Sequence, residues 1–368
     1  MTAADVSIAT PRRVGKSALA VTPLGFGAGP LGDPRVPAND CNAAVAAAWR
    51  GGVRLFDTAP EYGIGRSERR LGVALAECGD RADYAVNTKV GRTLEPEPVR
   101  IEANKTLSAD GAVRTPRDPR SGHRVHFAYD RAAFELQHRD SLLRLGLPYV
   151  DSLTIHDVDY GYHDDAQIDA ALAQLSRRGG GGAAALEEWR DGGVIKAIGL
   201  GCNREMRNYA TWAGGRHEDL VERIADTVDL DFLVVAGPYT LLDTCALDRV
   251  LPLCASRHIG AIIASPFAGG WLIAPERAGY MYGETPEAVR AKTDGIARLC
   301  RDHGVPIGAV ALQFVLAHPV VAAAIPGARS ADEAVEAQRL AHIDVPRELW
   351  AQLKRNGLLD ERAPTPGE

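Results

Sequence analysis

The chain contains no Cys-x-x-Cys pair. Its six cysteines, Cys41, Cys78, Cys202, Cys245, Cys254 and Cys300, are scattered along the sequence. A disulfide framework or a zinc site needs tighter grouping, so reduced thiols and no metal are expected. No run approaches the ~20 apolar residues of a membrane span. The opening MTAADVSIATPRRVGKSALAV also lacks the continuous apolar stretch of a signal peptide. A cytoplasmic protein without a membrane partner is therefore expected. There is no basic run with interleaved aromatics, and the formal net charge is -6. Both features argue against a nucleic-acid surface.

What is present is ordinary globular material: 368 residues, 46% hydrophobic and 24% charged. That length suits either two domains or one large α/β barrel, which routinely exceeds ~200 residues as a single unit. Short apolar runs recur along it. LGFGA (24–28), VRLFDTA (53–59), YAVNTKV (84–90) and VDSLTIHDV (150–158) come first. IKAIGLG (195–201), FLVVAGPY (232–239), GAIIASP (260–266) and VVAAAIPGA (320–328) follow. Between them lie helical patterns: DCNAAVAAAWRGG, SERRLGVALAE, DRAAFELQHRDSLLRLG, AALEEWRDGG, REMRNYATWAG, CALDRVLPLCASRHIG and PIGAVALQFVLAH. In the third of these, Asp130 is placed to cap the start and Gly146 to end the helix, with Phe134, Leu142 and Leu145 on one face.

Strand–helix alternation repeated eight times predicts a parallel sheet closed into a single (β/α)8 TIM barrel over 1–368, with an open doubly wound sheet as the alternative. Residues 10–23 precede the first strand and are expected to form a hairpin plugging the barrel floor. Residues 93–128, rich in proline and charge, read as a long loop after the third strand, either functional or simply a solvated insertion. RRGGGG (177–182) reads as a flexible turn.

Barrel enzymes place their reactive groups at the C-terminal ends of the strands and on the loops that follow. Here the second strand ends in Asp57, the third in Lys89 and the fourth in His156. Period-two alternation puts Leu55 with Asp57, Asn87 with Lys89, and Thr154 with His156 on shared faces. If those faces point inward, carboxylate, ammonium and imidazole meet at the barrel mouth, and Tyr62 folds back over them from the next loop. A free phenol has a pKa of about 10, and a nearby ammonium stabilises its phenolate. Asp57 would keep Lys89 charged and in place, and His156 would hydrogen-bond the substrate oxygen whose proton Tyr62 gives or takes. Such a set suits a carbonyl/alcohol interconversion with hydride exchanged at a cofactor. Taken singly, each residue has a plainer structural explanation. The combination is what points to catalysis.

At these residues the sequence resembles the aldo-keto reductase superfamily. Asp57 and Tyr62 in FDTAPEYG, Lys89 in NTKVG and His156 in IHDVD match its catalytic tetrad by type, order and strand context. The resemblance extends from TPLGFGAGPLG (22–32) through GVIKAIGLGCN (193–203) to IPGARSADEAVEA (325–337). It implies an NAD(P)-dependent oxidoreductase that binds an extended nicotinamide dinucleotide without a Rossmann fingerprint, consistent with the lack of a G-x-G-x-x-G directly opening a helix. Residues 129–157, 230–243 and 303–330 are similar to the NAD-dependent aldose 1-dehydrogenase branch, which acts on sugars such as L-fucose and D-arabinose. That branch implies oxidation of the anomeric carbon to a lactone. The alternative is an NAD(P)H-dependent reductase of aldehydes, ketones or pyridoxal-like substrates.

The same resemblance assigns cofactor contacts. Asn203 matches the residue that holds the nicotinamide carboxamide, and Cys202 stands where many members have serine. Ala236 replaces a common glutamine, and Ala264 or Ser265 replaces the aromatic that usually stacks on the nicotinamide, with Phe267 a substitute. After the eighth strand, Gly327, Arg329 and Glu333 lie at a helix start suited to phosphate. NADP users tend to carry a basic residue where Glu333 stands, so NAD is favoured over NADP, although Arg329 argues the other way. The substrate, a sugar or an aldehyde, is expected among loops bearing Tyr62, Tyr160, Tyr162, Phe267 and Trp271, with Trp271 offered for stacking.

Overall fold

The computed structural model describes residues 10–96, 122–203 and 215–368. In chain order the strands are β1 Arg12–Arg13, β2 Ala20–Val21, β3 Phe26–Gly27, β4 Leu55–Asp57, β5 Ala85–Val90 and β6 Arg92–Pro96. They continue with β7 His123–Phe127, β8 Ser152–His156, β9 Ala197–Asn203, β10 Phe232–Ala236, β11 Gly260–Ala264 and β12 Val321–Ile325. Eight of them form one parallel sheet in the order β3-β4-β5-β8-β9-β10-β11-β12. The bridges Leu24–Ala324 and Gly27–Gly327 join its two edges, with Gly25 N–H donating to Ala324 O at 2.8 Å. The sheet thus closes into the expected TIM barrel.

Period-two alternation splits the core. Leu55, Ala85, Ala197, Phe232, Val234, Ile262, Ala323 and Ile325 pack together inside the barrel. Their sequence neighbours Phe56, Val86, Ile198, Leu233 and Ile263 join the larger cluster with the helices, including Leu71, Phe134, Leu186, Ile224 and Leu312. A strand buried on both faces reads as a continuous apolar run, which is why the strands were visible in the sequence.

The expected hairpin exists. β1 and β2 pair antiparallel, Arg12 opposite Val21, and Val14, Leu19 and Val21 join the inner cluster. Gly15 turns the hairpin at φ 54° against the starts of β10 and β11, where an added Cβ would lie 2.1 Å from Asp231 O and 2.6 Å from Gly260 N. The hairpin is therefore a floor, at the end of the barrel away from Asp57, Lys89 and His156.

Residues 93–128 require a correction. They do not begin or end as loop: β6 and β7 form an antiparallel ladder, Arg92 opposite Phe127 and Pro96 opposite His123, extending the third strand beyond the barrel rim. The helical pattern at 204–214 lies outside the described residues. The string Gly27-Ala28-Gly29-Pro30-Leu31-Gly32 has G-x-G-x-x-G spacing after a strand, yet it folds as a 3-10 turn over Gly29–Gly32, and the helix starts only at Ala38. No helix among the described residues is long and apolar enough to cross a membrane.

Candidate active site

The site is built from the inner face upward. Asn87 sits on β5 above the apolar layer and is buried. Its Oδ1 accepts from Ser152 Oγ at 2.9 Å and Thr154 Oγ1 at 3.0 Å, while its Nδ2 donates to Asp57 Oδ1 at 2.6 Å. One amide thus joins β4, β5 and β8 and orients the carboxylate above it.

Lys89, one inward position further along β5, is 2% exposed. Its ammonium donates to both Asp57 oxygens, at 3.0 and 2.9 Å, and to Thr58 O at 2.7 Å. Three acceptors match the three protons, so the cation is fully held in a place where an unpaired one would be costly. Its Nζ lies 5.0 Å from the centre of the Tyr62 ring.

Tyr62 comes from the turn after β4, and the turn after β3 packs directly against it. A Cβ on Gly32 would stand 2.5 Å from the Tyr62 carbonyl carbon, so only glycine lets the two turns meet. Ser67 ties them further, with its hydroxyl donating to Ala28 O at 2.6 Å. The Tyr62 and His156 rings meet edge to face, centroids 6.2 Å apart. Burial pushes His156 down to about 3, so its imidazole is neutral at physiological pH. Nε2 lies 3.3 Å from Asp157 Oδ2, and Nδ1 is buried without a protein partner among the described residues. The structure therefore brings Asp57, Tyr62, Lys89 and His156 together at the mouth.

The chain matches the Aldo/keto reductase family over residues 23–356. It belongs to that family. It is 35% identical over 353 residues to a D-threo-aldose 1-dehydrogenase of Pseudomonas sp, covering 95% of this chain and 96% of that protein. It is 34% identical over 359 residues to a pyridoxal 4-dehydrogenase of Microbacterium luteolum, covering 95% and 97%. Among solved structures, an aldo-keto reductase from Bacillus halodurans in its holo form superposes with a TM-score of 0.67 at 22% identity, covering 95% and 96%. As an aldo/keto reductase family member the protein is an oxidoreductase on a TIM-barrel scaffold.

The candidate cofactor residues separate into two groups around this family site. Asn203, at the end of β9, donates Nδ2 to Asp157 Oδ1 at 2.7 Å, and its backbone N–H donates to Asp159 Oδ2 at 2.8 Å. This leaves the side-chain carbonyl oxygen of the amide as an acceptor. Cys202 is one position out of phase. It packs in the outer cluster, and its thiol donates to Val158 O at 3.2 Å, so its side chain does not share the inner face with Asn203. Ser265 follows β11 at φ 51°. Gly327 is exposed at the end of β12, with Arg329 and Glu333 exposed beside the Ala331–Ala341 helix. Ser330 Oγ caps that helix by accepting from Glu333 N–H at 3.3 Å, and Glu333 Oε2 accepts from Arg329 N–H at 2.7 Å.

Trp271, offered for stacking on the substrate, lies after β11. It is 6% exposed, its ring N–H donates to Thr293 Oγ1 at 2.9 Å, and Arg290 covers the ring at 5.1 Å. Those contacts make it a packed core residue. Phe267 is likewise buried, and Arg216 covers Tyr160 at 3.9 Å.

Sequence reasoning missed Arg92, Glu61, Asp157 and Asp159. Arg92 is 2% exposed. Its guanidinium pairs with Glu61 Oε2 at 2.9 Å and with Asp157 Oδ2. Burial opposes its charge, but Asp157 and Glu61 hold its pKa above the ordinary value. Asp159 is different: burial, reinforced by the Asp157 charge, pushes its carboxyl up to about 8. The available signal was sequence adjacency, since Glu61 precedes Tyr62 and Asp157 follows His156.

Proposed function

We propose that this protein oxidises the anomeric carbon of an aldose to the lactone, with NAD as its cofactor. The observation that carries the reading is the buried Asp57–Lys89 pair, held on every proton, beneath Tyr62 and beside a neutral His156. Similarity to the D-threo-aldose 1-dehydrogenase supports the substrate class.

The residues fit a nicotinamide dinucleotide. Asn203 offers an amide oxygen at the mouth. The bare backbone at Gly327 leads to a capped helix N-terminus. When bound, the nicotinamide supplies the hydride acceptor. The chain's own residues handle the proton. The Lys89 charge favours the Tyr62 phenolate, which takes the proton of the C1 hydroxyl. Neutral His156 orients that oxygen through one ring nitrogen while Asp157 fixes the ring through the other. Asn203 Oδ1, left free to accept, would help hold the nicotinamide through its carboxamide.

NAD is favoured because the Glu333 carboxylate lies at the helix start, where it would repel the extra phosphate of NADP and is able to accept from ribose hydroxyls. The Arg329 charge is partly answered by Asp33, whose carboxyl Arg35 hydrogen bonding, aided by Arg329, holds down at about 2.

Initial rates with L-fucose, D-arabinose and other aldoses, each with NAD and with NADP, test the proposal directly. Lactone formation at least tenfold faster with NAD is expected. Failure of every aldose alongside brisk pyridoxal oxidation or NADH-driven aldehyde reduction would move the assignment to the other branch, for which the pyridoxal 4-dehydrogenase similarity speaks.

A further inference from the structure

Arg92 is a large, fully buried cation outside the Asp57–Lys89 pair, and nothing in the proton chemistry above uses it. Its surroundings are specific. The guanidinium carbon stands 4.7 Å from the Phe127 ring centre and 4.4 Å from that of Tyr162. Phe127 belongs to β7 and Tyr162 to the loop after β8, and the two ring centres stand 5.7 Å apart, so the cation rests against a corner made by two rings from different elements. Its guanidinium forms ion pairs with Glu61, the residue before Tyr62, and with Asp157, the residue after His156, and hydrogen-bonds only the latter.

Asp157 is itself a junction. It adopts φ 57°, a left-handed conformation that aspartate tolerates only with local support. Its side chain contacts Arg92, His156 and Asn203, and the Tyr129 hydroxyl lies 3.2 Å from its carbonyl oxygen. One guanidinium therefore reaches the proton-transfer phenol, the imidazole and the amide at Asn203 through a single intervening residue in each case.

Resting on the functional reading above, we propose that Arg92 is a positioning residue: it bridges Glu61 and Asp157 across the barrel mouth, setting the separation of Tyr62 from His156 and the aim of Asn203. A lysine is a poor substitute, because separate guanidinium nitrogens reach Glu61 and Asp157 at once, whereas an ammonium is a single point charge on a flexible stem.

The bridge also governs charge at His156. Burial is the main force keeping that ring neutral, with Arg92 and Lys89 adding to it and Asp157 opposing. The other ionisable groups of the surrounding cluster are Asp57 at the end of β4, Glu61 and Tyr62 after it, Tyr129 after β7, Asp159, Tyr162 and His163 after β8, and Cys202 on β9. Removing Arg92 leaves Asp157 without its cation, and the nearest group able to supply a positive charge is His156. Protonation of His156 then moves upward, toward neutrality.

The test uses the full-length protein as Arg92→Lys and Arg92→Met, with thermal melts to confirm folding. Two readouts are taken: kcat and KM from pH 5 to 9, and the ring signals of His156 by NMR, assigned by their loss in His156→Gln. Arg92→Lys is expected to lower kcat at least tenfold while the pH profile stays as in the parent. Arg92→Met is expected to lower kcat about 100-fold and to move the titration of His156 to a higher pH than in the parent, with any acid limb in the rate moving the same way. Parental kcat in Arg92→Lys overturns the proposal, and it decides the matter if Arg92→Met does not fold. An Arg92→Met enzyme that loses rate without any change in His156 titration also overturns it, since general loosening would do the same. The NMR readout needs no turnover, so failure of the aldose assignment is seen separately in the parent's rates.

Discussion

At the scale of single residues, the arrangement rests on a phenol beside a cation that cannot leave. Lys89 has its three protons matched by Asp57 and Thr58 O, so its charge is fixed in place next to the Tyr62 ring. Tyr62→Phe removes one hydroxyl and nothing that packs. Loss of a positioned acid/base group typically costs 10²–10⁴-fold in rate. Turnover of Tyr62→Phe is expected to fall by about that factor, with the melting temperature and NADH affinity, read by fluorescence titration, close to the parent's. A variant that keeps more than a third of parental kcat would show that the proton moves elsewhere. The tetrad was legible in the sequence because each member sits at a strand end or in the loop just after it, where period two decides which side chains face inward. Arg92 was not legible. Its two partners come from different loops, and whether a rim arginine turns into the barrel or out to water is a tertiary outcome that adjacency to Lys89 does not disclose.

At the scale of elements, the eight strands were readable because burial on both faces makes each a continuous apolar run. The helices were less uniform. The Asp130-capped helix behaves as its sequence says: Asp130 Oδ1 accepts from Ala133 N–H at 2.9 Å, and Gly146 ends it at φ 65°. The Arg216–Thr227 helix was overlooked, since only Leu220, Val221 and Ile224 among its buried residues are apolar and charged residues dominate the rest. The Asp165–Leu175 helix, with a full capping box from Asp164 and Gln167, was missed although its start signal was present. The β6–β7 ladder has no apolar face to mark it: β7 alternates between half-buried and exposed residues, and the buried start of β6 is Arg92 and Thr93, both polar. The hairpin floor gives this scale its prediction. Gly15→Ala puts a side chain on a left-handed backbone and drives a methyl into Asp231 O and Gly260 N. Both effects act in the same direction and are expected to cost more than about 2 kcal/mol together. Urea denaturation should show this as a lower midpoint. An unchanged midpoint would mean the hairpin does not seal the barrel as described.

At the scale of the whole molecule, buried ionisable groups set how stability varies with pH, and they pull in opposite directions. Burial pushes His156 down to about 3 and His318 down to about 4, and it also lowers His138 and His163. In the unfolded chain these histidines titrate near 6.5. Below that pH the unfolded state binds protons that the folded state refuses, so their contribution is present above about 6.5 and is lost as the pH falls. Asp159 behaves in the opposite way. Its folded carboxyl, raised to about 8 by burial and by Asp157, keeps a proton that the unfolded chain releases near 3.9. Its contribution is therefore present at low pH and declines as the pH rises toward 8. Between about 5 and 6.5 the histidines outnumber the aspartate, and stability rises with pH. Between about 6.5 and 8 these histidines are neutral in both states, Asp159 still keeps its proton only when folded, and stability falls. A maximum near pH 6.5 is expected in the urea midpoint, with each net proton worth about 1.4 kcal/mol per pH unit. Asp159→Asn isolates the second limb: it should remove the decline from 6.5 to 8 and leave the acid side unaltered. A decline of equal slope in the parent and in Asp159→Asn would assign the alkaline limb to some other group and show that the carboxyl next to Asn203 is already ionised in the folded protein.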